Sequence, residues 1–259
     1  MNFNIIDGLK INYYINDSCI GVSVKNGNIW EEYMTPLIKN FYIEGTDMID
    51  IGANIGLISL QHMKKILSTD RKIYAFEPYF YDILQKNITD NNLNNTIIAY
   101  GVAISDENKY IELPKIDVDT CIDNYGGYRI PDVVGDQSSP DTFNCYKLDY
   151  YNFKNISLIK IDVEGFELKA LLGMFETLKN NNYPTIIIEI WSFSDGWVND
   201  AIDSKSQAGI DIASQYIKTT KLLAKMGYIQ YYLGIDDFVC VHQSKLSLLQ
   251  NYIEVSTKN

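Results

Sequence analysis

An apolar strand followed by a tight glycine turn constrains the fold of this chain most strongly. Residues 47–56 are Asp-Met-Ile-Asp-Ile-Gly-Ala-Asn-Ile-Gly, and a stretch with helical spacing follows them. Because Gly52 and Gly56 lack a Cβ, the backbone can turn sharply, a ligand can approach the main chain, and strand and helix can pack closely. The pattern therefore predicts the binding turn of a nucleotide-like cofactor.

A second strand ends in an acid that suits a ribose. Residues 72–76 are mostly apolar, and Glu77 follows them directly. A carboxylate at this place in a parallel sheet accepts hydrogen bonds from both ribose hydroxyls. We therefore expect a ligand with an unphosphorylated ribose. A purely structural role is least expected for Glu77, because an acid that closes an apolar strand needs a partner.

Composition and charge exclude several classes of protein. The 259 residues are 46% hydrophobic, which is enough for a well-developed core. The formal net charge is −11, and the basic residues are scattered, so DNA and RNA would be repelled. With neither a basic and apolar leader nor a membrane-length apolar run, we expect a cytoplasmic protein without a membrane span. The four separated cysteines predict neither a zinc site nor a disulfide framework.

Strands and helices alternate along most of the chain, which predicts an α/β fold. We expect strands at 47–51, 72–76, 96–101, 157–163 and 185–190, and helices at 56–67, 79–90, 166–179 and 210–226. This alternation favours a parallel sheet with helices on both faces. Two final strands, 228–233 and 238–242, are joined by a short turn, so we predict that they pair antiparallel.

Two further segments do not fit the alternation. Residues 10–25 alternate apolar and polar side chains around Asn16 and Asp17, which predicts a hairpin, and residues 29–42 have helical spacing. We expect residues 1–46, as hairpin and helix, to belong to the same domain as residues 47–259. Between about 112 and 146 the periodicity fails and turn formers accumulate, which predicts a substrate-loop insertion.

The candidate site residues follow from the expected sheet. In open parallel sheets, ligands bind at the carboxyl ends of the strands, near the point where the strand order reverses. In this chain those ends carry Asp50 and Gly52, Glu77, Val102 and Ala103, Asp162 and Glu164, and Glu189. His62 and His242 are interpreted as ordinary surface or core histidines rather than as the catalytic base.

Three blocks of sequence resemble the signature of the FkbM family of S-adenosylmethionine-dependent methyltransferases. They are residues 49–56, residues 76–78 (Phe-Glu-Pro) and residues 158–167 (Leu-Ile-Lys-Ile-Asp-Val-Glu-Gly-Phe-Glu), in the family's order. The resemblance covers roughly residues 47–190. It implies a class I methyltransferase fold, which is a Rossmann-like, seven-stranded, mostly parallel sheet with an antiparallel terminal hairpin, flanked by helices.

The resemblance also implies where S-adenosylmethionine binds. Its methionine part would face Gly52, Asn54 and Gly56, with Asp50 close by. Its ribose would face Glu77, and its adenine would face the turn that contains Val102 and Ala103. The residue after Pro78 is Tyr79, where the family often has a small polar residue.

Three acids are expected where the acceptor meets the methyl group. A hydroxyl acceptor must lose its proton, and one of Asp162, Glu164 and Glu189 is suited to take it, because clustered carboxylates raise one another's pKa. The same carboxylates are equally suited to hold a divalent cation that lowers the pKa of the acceptor. For Glu164 a structural role at the start of a helix explains the acid as well.

The sequence therefore favours an O-methyltransferase that acts on a hydroxyl of a small acceptor such as a sugar, a nucleotide-sugar or a glycan. A nicotinamide-dependent Rossmann oxidoreductase is the first alternative, although Asn54 stands where the dinucleotide fingerprint has its second glycine. A non-catalytic cofactor-binding module is the second, and it would hold Asp162 and Glu189 in buried ion pairs instead of an open pocket. Whether the protein forms a homo-oligomer stays open.

Overall fold

The computed structural model describes residues 2–113, 124, 125, 127, 141–191, 207–234 and 236–256. In chain order, the strands of this part are β1 (Asn2–Ile6), β2 (Leu9–Tyr13), β3 (Asp47–Ile51), β4 (Ile73–Phe76), β5 (Ile97–Tyr100), β6 (Ala103–Ile104), β7 (Lys109–Leu113), β8 (Asp141–Tyr146), β9 (Ile156–Ile161), β10 (Thr185–Glu189), β11 (Tyr228–Gly234) and β12 (Asp237–His242).

The central sheet has seven of these strands, in the order β11-β12-β10-β9-β3-β4-β5. Neighbouring strands from β10 to β5 run parallel, whereas β12 pairs antiparallel with both β10 and β11. The predicted sheet and its antiparallel terminal pair are thus confirmed. The strand order reverses between β3 and β9, so the ends of these two strands mark the expected ligand site.

Helices cover both faces of the sheet. In chain order they are α1 (Ile20–Lys25), α2 (Met34–Phe41), a π-helix (Ile58–Met63) that continues into α3 (Lys64–Ile66), α4 (Tyr81–Asp90), a 3-10 turn (Leu148–Tyr151), α5 (Glu167–Leu172), α6 (Phe175–Asn180), α7 (Gln207–Lys225), a 3-10 turn (Gln243–Lys245) and α8 (Leu246–Ser256). No helix within the described residues is both long enough and apolar enough to span a membrane.

Two hydrophobic cores result, one on each face of the sheet. Strand residues alternate between them, so Met48 packs with α2 and α4 while its neighbour Ile49 packs with α5 and α6. Strands β3 and β9 are buried along their whole length. Burial on both faces is expected for the central strands of a parallel sheet and explains their nearly continuous apolar sequence.

The N-terminal hairpin was predicted in the wrong place. It is formed by β1 and β2, which are joined at Asp7 and Gly8, both with positive φ (51° and 78°). A two-residue Asp-Gly turn between alternating strands is a strong hairpin signal, because both positions require φ > 0. Residues 20–25, which were expected to form the second strand, are helix α1. The helical spacing of residues 29–42 corresponds to α2.

The helix predicted at 166–179 is interrupted, and α5 and α6 are separated at Gly173. A Cβ on Gly173 would lie 1.8 Å from the backbone oxygen of Ser105, so the chain there is pressed against a neighbouring loop. The tertiary contact overrides the helical periodicity on either side of it. The other predicted strands and helices agree with the structure to within a few residues at each end.

The predicted insertion at 112–146 lies largely outside the described residues. Its ends fall in β7 and β8, which pair antiparallel, and β8 also pairs with β6 in a small three-stranded sheet. Within it, Tyr125 is described and is 1% exposed. Cys121 lies outside the described residues, and the three described cysteines are free thiols.

Candidate active site

A cavity of about 210 Å³ opens at the carboxyl ends of β3, β4, β9 and β10. Six of the ten candidate residues line it, namely Gly52, Asn54, Glu77, Asp162, Glu164 and Glu189. Asp50, Gly56, Val102 and Ala103 are not among its lining residues. The cavity therefore brings together the ribose candidate on β4 and the three catalytic candidates on β9 and β10.

Gly52 is required by the close approach of two chain segments. Its φ is +82°, and a Cβ there would lie 1.7 Å from the backbone oxygen of Asp162. The turn after β3 therefore packs directly against the chain that leaves β9. Asn54 follows with a left-handed φ of 50°, and its side-chain oxygen accepts a hydrogen bond from the amide of Ile55 (2.7 Å). These contacts fix the backbone conformation of the turn, which borders the cavity.

Gly56 and Asp50 stabilise the turn through packing and hydrogen bonding. A Cβ on Gly56 would lie 2.7 Å from side-chain atoms of both Leu60 and Leu84, so this glycine permits close packing of the following helix. Asp50 is fully buried and accepts a hydrogen bond from the Ser59 hydroxyl (2.6 Å). Burial raises the pKa of Asp50, and its other carboxyl oxygen has no partner within the described residues.

Val102 and Ala103, the adenine candidates, are not among the lining residues of the cavity. Ala103 is 4% exposed and pairs with Cys145 between β6 and β8. Val102 packs against the core under α5 and α6. The aromatic wall on this side of the cavity comes instead from Tyr79 and Phe80, which directly follow Glu77.

Glu77 joins the turn after β3 to the end of β4. One carboxyl oxygen accepts the amide of Asn54 (3.0 Å), and the other accepts the amides of Tyr79 (2.7 Å) and Phe80 (3.0 Å). Burial raises the pKa of Glu77, and the three amide hydrogen bonds oppose that rise. A carboxylate offers about four lone-pair positions, and the three amides occupy three of them.

Asp162 and Glu189 form a hydrogen-bonded acid pair in the cavity wall. The ammonium of Lys160, which is 4% exposed, lies 2.7 Å from Asp162. Burial on its own would raise the pKa of Asp162, but the charge of Lys160 and the hydrogen bond from Glu189 lower it overall. Burial and the charge of Asp162 raise the pKa of Glu189 to about 11. These shifts favour the proton of the pair on Glu189 and the charge on Asp162.

Glu164 completes a group of three acids. Asp162, Glu164 and Glu189 each offer a carboxyl oxygen, and these oxygens lie within 4.8 Å of one another. Glu164 has a left-handed φ of 53° and does not begin a helix, because α5 starts at Glu167. Glu167 is the acid at the helix start, where it is buried and accepts the amide of Gly165 (3.0 Å).

Two further charged residues, Lys160 and Glu31, line the cavity and were not among the ten candidate residues. Lys160 lies in the apolar strand β9, in register with Asp50 on β3. A lysine within an otherwise apolar buried strand is a signal for a buried charge partner. Glu31 lines the cavity from the segment before α2.

Both histidines are structural, as interpreted from the sequence. His62 is fully buried, with one ring nitrogen 2.6 Å from the hydroxyl of Thr35 and the other 2.6 Å from the backbone oxygen of Trp30. His242 stacks on Tyr183 with 4.0 Å between ring centroids. Neither lines the cavity.

The strand order, the glycine turn after β3 and the acid after β4 together define a class I methyltransferase fold. The family model of the methyltransferase FkbM domain matches residues 50–229, which is more than half of the chain. The chain belongs to the FkbM methyltransferase family.

One relative is also a methyltransferase. Methyltransferase sdnD of Sordaria araneosa is 29% identical over 178 residues, which cover 56% of this chain and 66% of that protein, just under two thirds of its length.

Solved structures with a similar fold include the O-methyltransferase from Bacillus cereus in complex with SAH (16% identity, TM-score 0.46, 80% of this chain and 77% of that chain). Another is the O-methyltransferase TomG from Streptomyces achromogenes, in complex with SAM (10% identity, TM-score 0.45, 80% of this chain and 76% of that chain).

Proposed function

We propose that this FkbM-family protein is an S-adenosylmethionine-dependent O-methyltransferase whose acceptor is a hydroxyl of a small molecule, namely a sugar, a nucleotide-sugar or a glycan. One observation carries the proposal. The acid pair Asp162–Glu189 and the ribose candidate Glu77 line one cavity from neighbouring sides, across the reversal point of the sheet. A nucleoside held at Glu77 and an acceptor held at the acid pair would therefore meet within it.

The residues of the cavity suit the proposed cofactor. Glu77 has a spare lone pair for a ribose hydroxyl, and the backbone turn at Gly52 borders the cavity. The flat rings of Tyr79 and Phe80 suit an adenine or sugar face. S-adenosylmethionine would supply a methyl group on a sulfonium; the acceptor oxygen would bond to the methyl carbon as the carbon–sulfur bond breaks, and S-adenosylhomocysteine would be the leaving group. The protein then has to align the two molecules, exclude water and accept a proton.

We assign the acceptance of that proton to Asp162. The charge of Lys160, 2.7 Å away, favours the ionised form of Asp162, and burial favours the protonated form of Glu189. An acceptor hydroxyl beside Asp162 would donate a hydrogen bond to it, and the proton would move to the carboxylate as the methyl group is transferred. The protonated Glu189 is placed to donate a hydrogen bond to Asp162 or to an acceptor oxygen.

A divalent cation at the three acids is a less well supported alternative. The carboxyl oxygens of Asp162, Glu164 and Glu189 are close enough to share one. The ammonium of Lys160, however, already neutralises Asp162 at 2.7 Å and would repel a cation there. We therefore assign the acids to proton transfer, and the effect of a chelator on the reaction tests this assignment.

The other two hypotheses are less well supported by the same residues. A nicotinamide cofactor needs room for a pyrophosphate at the turn, where Asn54 occupies the position of the second glycine. A non-catalytic module would hide its acids in ion pairs. Here Asp162 is ion-paired with Lys160, but both Asp162 and Glu189 line the cavity.

A binding and turnover experiment tests the proposed function. Calorimetric titrations with S-adenosylmethionine and with NAD should show binding of the former, and preference for NAD would contradict the proposal. Sugars and nucleotide-sugars are then incubated with a methyl-labelled cofactor, with and without EDTA. The expected result is a mass gain of one methyl group that EDTA does not abolish. Methylation confined to amines or thiols would contradict the assignment to a hydroxyl.

A further inference from the structure

Glu31 is held in the cavity wall by contacts on both sides of it. The amide of Trp30 donates to the side-chain oxygen of Gln61 (3.1 Å), and the carbonyl of Trp30 lies 2.6 Å from a ring nitrogen of His62. On the other side, the hydroxyl of Tyr33 donates to Asp237. These contacts join the segment before α2 to the π-helix and to β12.

The backbone at Glu31 adopts a conformation that non-glycine residues rarely take. Its φ is +48°, and its carbonyl accepts the amide of Met34 (2.9 Å) as α2 begins. A left-handed conformation costs a residue with a Cβ of the order of 1 kcal/mol and persists only where surrounding contacts impose it. The arrangement directs the side chain of Glu31 into the cavity.

The carboxylate placed there has no protein partner for one of its oxygens. Oε2 of Glu31 is buried and makes no hydrogen bond within the described part of the chain. A buried carboxylate oxygen without a donor is costly, and such exceptions call for an explanation. A ligand that brings a donor and a positive charge would satisfy it.

The position of Glu31 relative to Glu77 indicates which end of the cofactor lies near it. Glu31 lines the same cavity as Lys160 on β9 and Asp162 directly after β9, and its neighbour Tyr33 is hydrogen-bonded to Asp237 on β12. Glu77 follows β4, which lies on the opposite side of β3 from β9. A cofactor with its ribose at Glu77 would therefore extend its amino-acid end across β3 toward Glu31.

We propose that Glu31 binds the α-ammonium group of the cofactor's methionine moiety and thereby positions the cofactor in the cavity. The inference rests on the proposed function. It adds a specificity-determining residue from the N-terminal segment, outside the residues 50–229 that match the family. A carboxylate accepts strong, charge-assisted hydrogen bonds from an ammonium group, so Glu31 would select ligands that carry the amino-acid end.

The experiment compares two neutral thioether ligands by calorimetry. S-adenosylhomocysteine has the amino-acid end, and 5′-methylthioadenosine lacks it. The Glu31→Gln variant should bind S-adenosylhomocysteine about ten- to a hundredfold more weakly than the wild type and should bind 5′-methylthioadenosine unchanged. Glu32→Gln is the matched control, because Glu32 is the exposed neighbour of Glu31 and should alter neither affinity.

The outcomes separate this inference from the proposed function. If the wild type binds neither ligand, the proposed function fails and the inference fails with it. If the wild type binds both and Glu31→Gln loses affinity for both equally, or for neither, only the role of Glu31 is refuted. Should Glu31→Gln not fold, a crystal structure of the wild type with S-adenosylhomocysteine decides. A Glu31 oxygen farther than about 3.5 Å from the α-nitrogen would refute the inference.

Discussion

The carboxylate of Glu77 accepts the backbone amide of Asn54 at 3.0 Å, and this bond links the turn after β3 to the end of β4. The ribose candidate is thus also a structural part of the turn that it faces. Its removal should affect both the binding of the cofactor and the stability of the turn.

Glu77→Ala should weaken the binding of S-adenosylhomocysteine by about 1.5–3 kcal/mol, because one hydrogen bond to a charged group is lost. The melting temperature should also fall, since the amides of Asn54, Tyr79 and Phe80 lose their acceptor. Calorimetry and thermal unfolding measure the two effects. Glu44→Ala is the control, because Glu44 is exposed. Unchanged affinity in Glu77→Ala would show that the ribose binds elsewhere.

Gly52→Ala should destabilise the fold far more than Gly8→Ala. Both glycines have similar positive φ values (82° and 78°), so both substitutions carry a left-handed penalty of about 1–2 kcal/mol. A Cβ at position 8 meets nothing within 4 Å, whereas at position 52 it meets a backbone oxygen at 1.7 Å. Urea denaturation measures the unfolding free energy of both variants, and the difference between their losses is the cost of the steric clash at position 52. Equal losses of stability would mean that the turn at Gly52 relaxes freely.

Asp162→Asn should leave the binding of S-adenosylhomocysteine nearly intact and should lower turnover about a hundred- to ten-thousandfold, the usual contribution of a general base. Asp70→Asn serves as the control, because Asp70 is exposed and distant in sequence from the acid pair. Initial rates with a saturating acceptor provide the measurement. An unimpaired Asp162→Asn enzyme would remove this residue from the mechanism.

The stability of the protein should depend on the ionisation of Glu167. Burial raises its pKa from 4.5 to about 7 in the folded protein. Between these values the folded state binds more protons than the unfolded state, so this group's contribution is complete below pH 4.5 and is lost as the pH rises through 7.

Glu167→Gln should therefore gain stability relative to the wild type as the pH increases from 5 to 8, by at most about 1.4 kcal/mol per pH unit. Urea denaturation at several pH values measures the difference in unfolding free energy. Glu176→Gln, at an exposed position on α6, is the control for the substitution itself. A pH-independent difference for Glu167→Gln would contradict the raised pKa.

The sheet was predictable from the sequence because its signals are local. Strands β3, β4, β9 and β10 are short apolar runs that each end in, or are followed by, an acid or a glycine, and these features indicate both the strand and its place at the ligand edge. The glycine turn and Glu77 follow from the same pattern.

The missed features depend on contacts between distant parts of the chain. The break at Gly173 is caused by the backbone of Ser105, and the place of Glu31 depends on Gln61 and His62. No periodicity within a short window contains this information. The misplaced hairpin is different, because Asp7-Gly8 was a local signal that the longer alternation of residues 10–25 obscured.

The position of β12 has a consequence for how the protein is made. This strand lies between β10 and β11 in the sheet, yet it follows both of them in the chain. During translation, one edge of β10 therefore stays bare until residues 237–242 leave the ribosome, and bare strand edges recruit other chains. A recombinant fragment cut to residues 50–229 would keep that edge permanently open, and we expect it to aggregate.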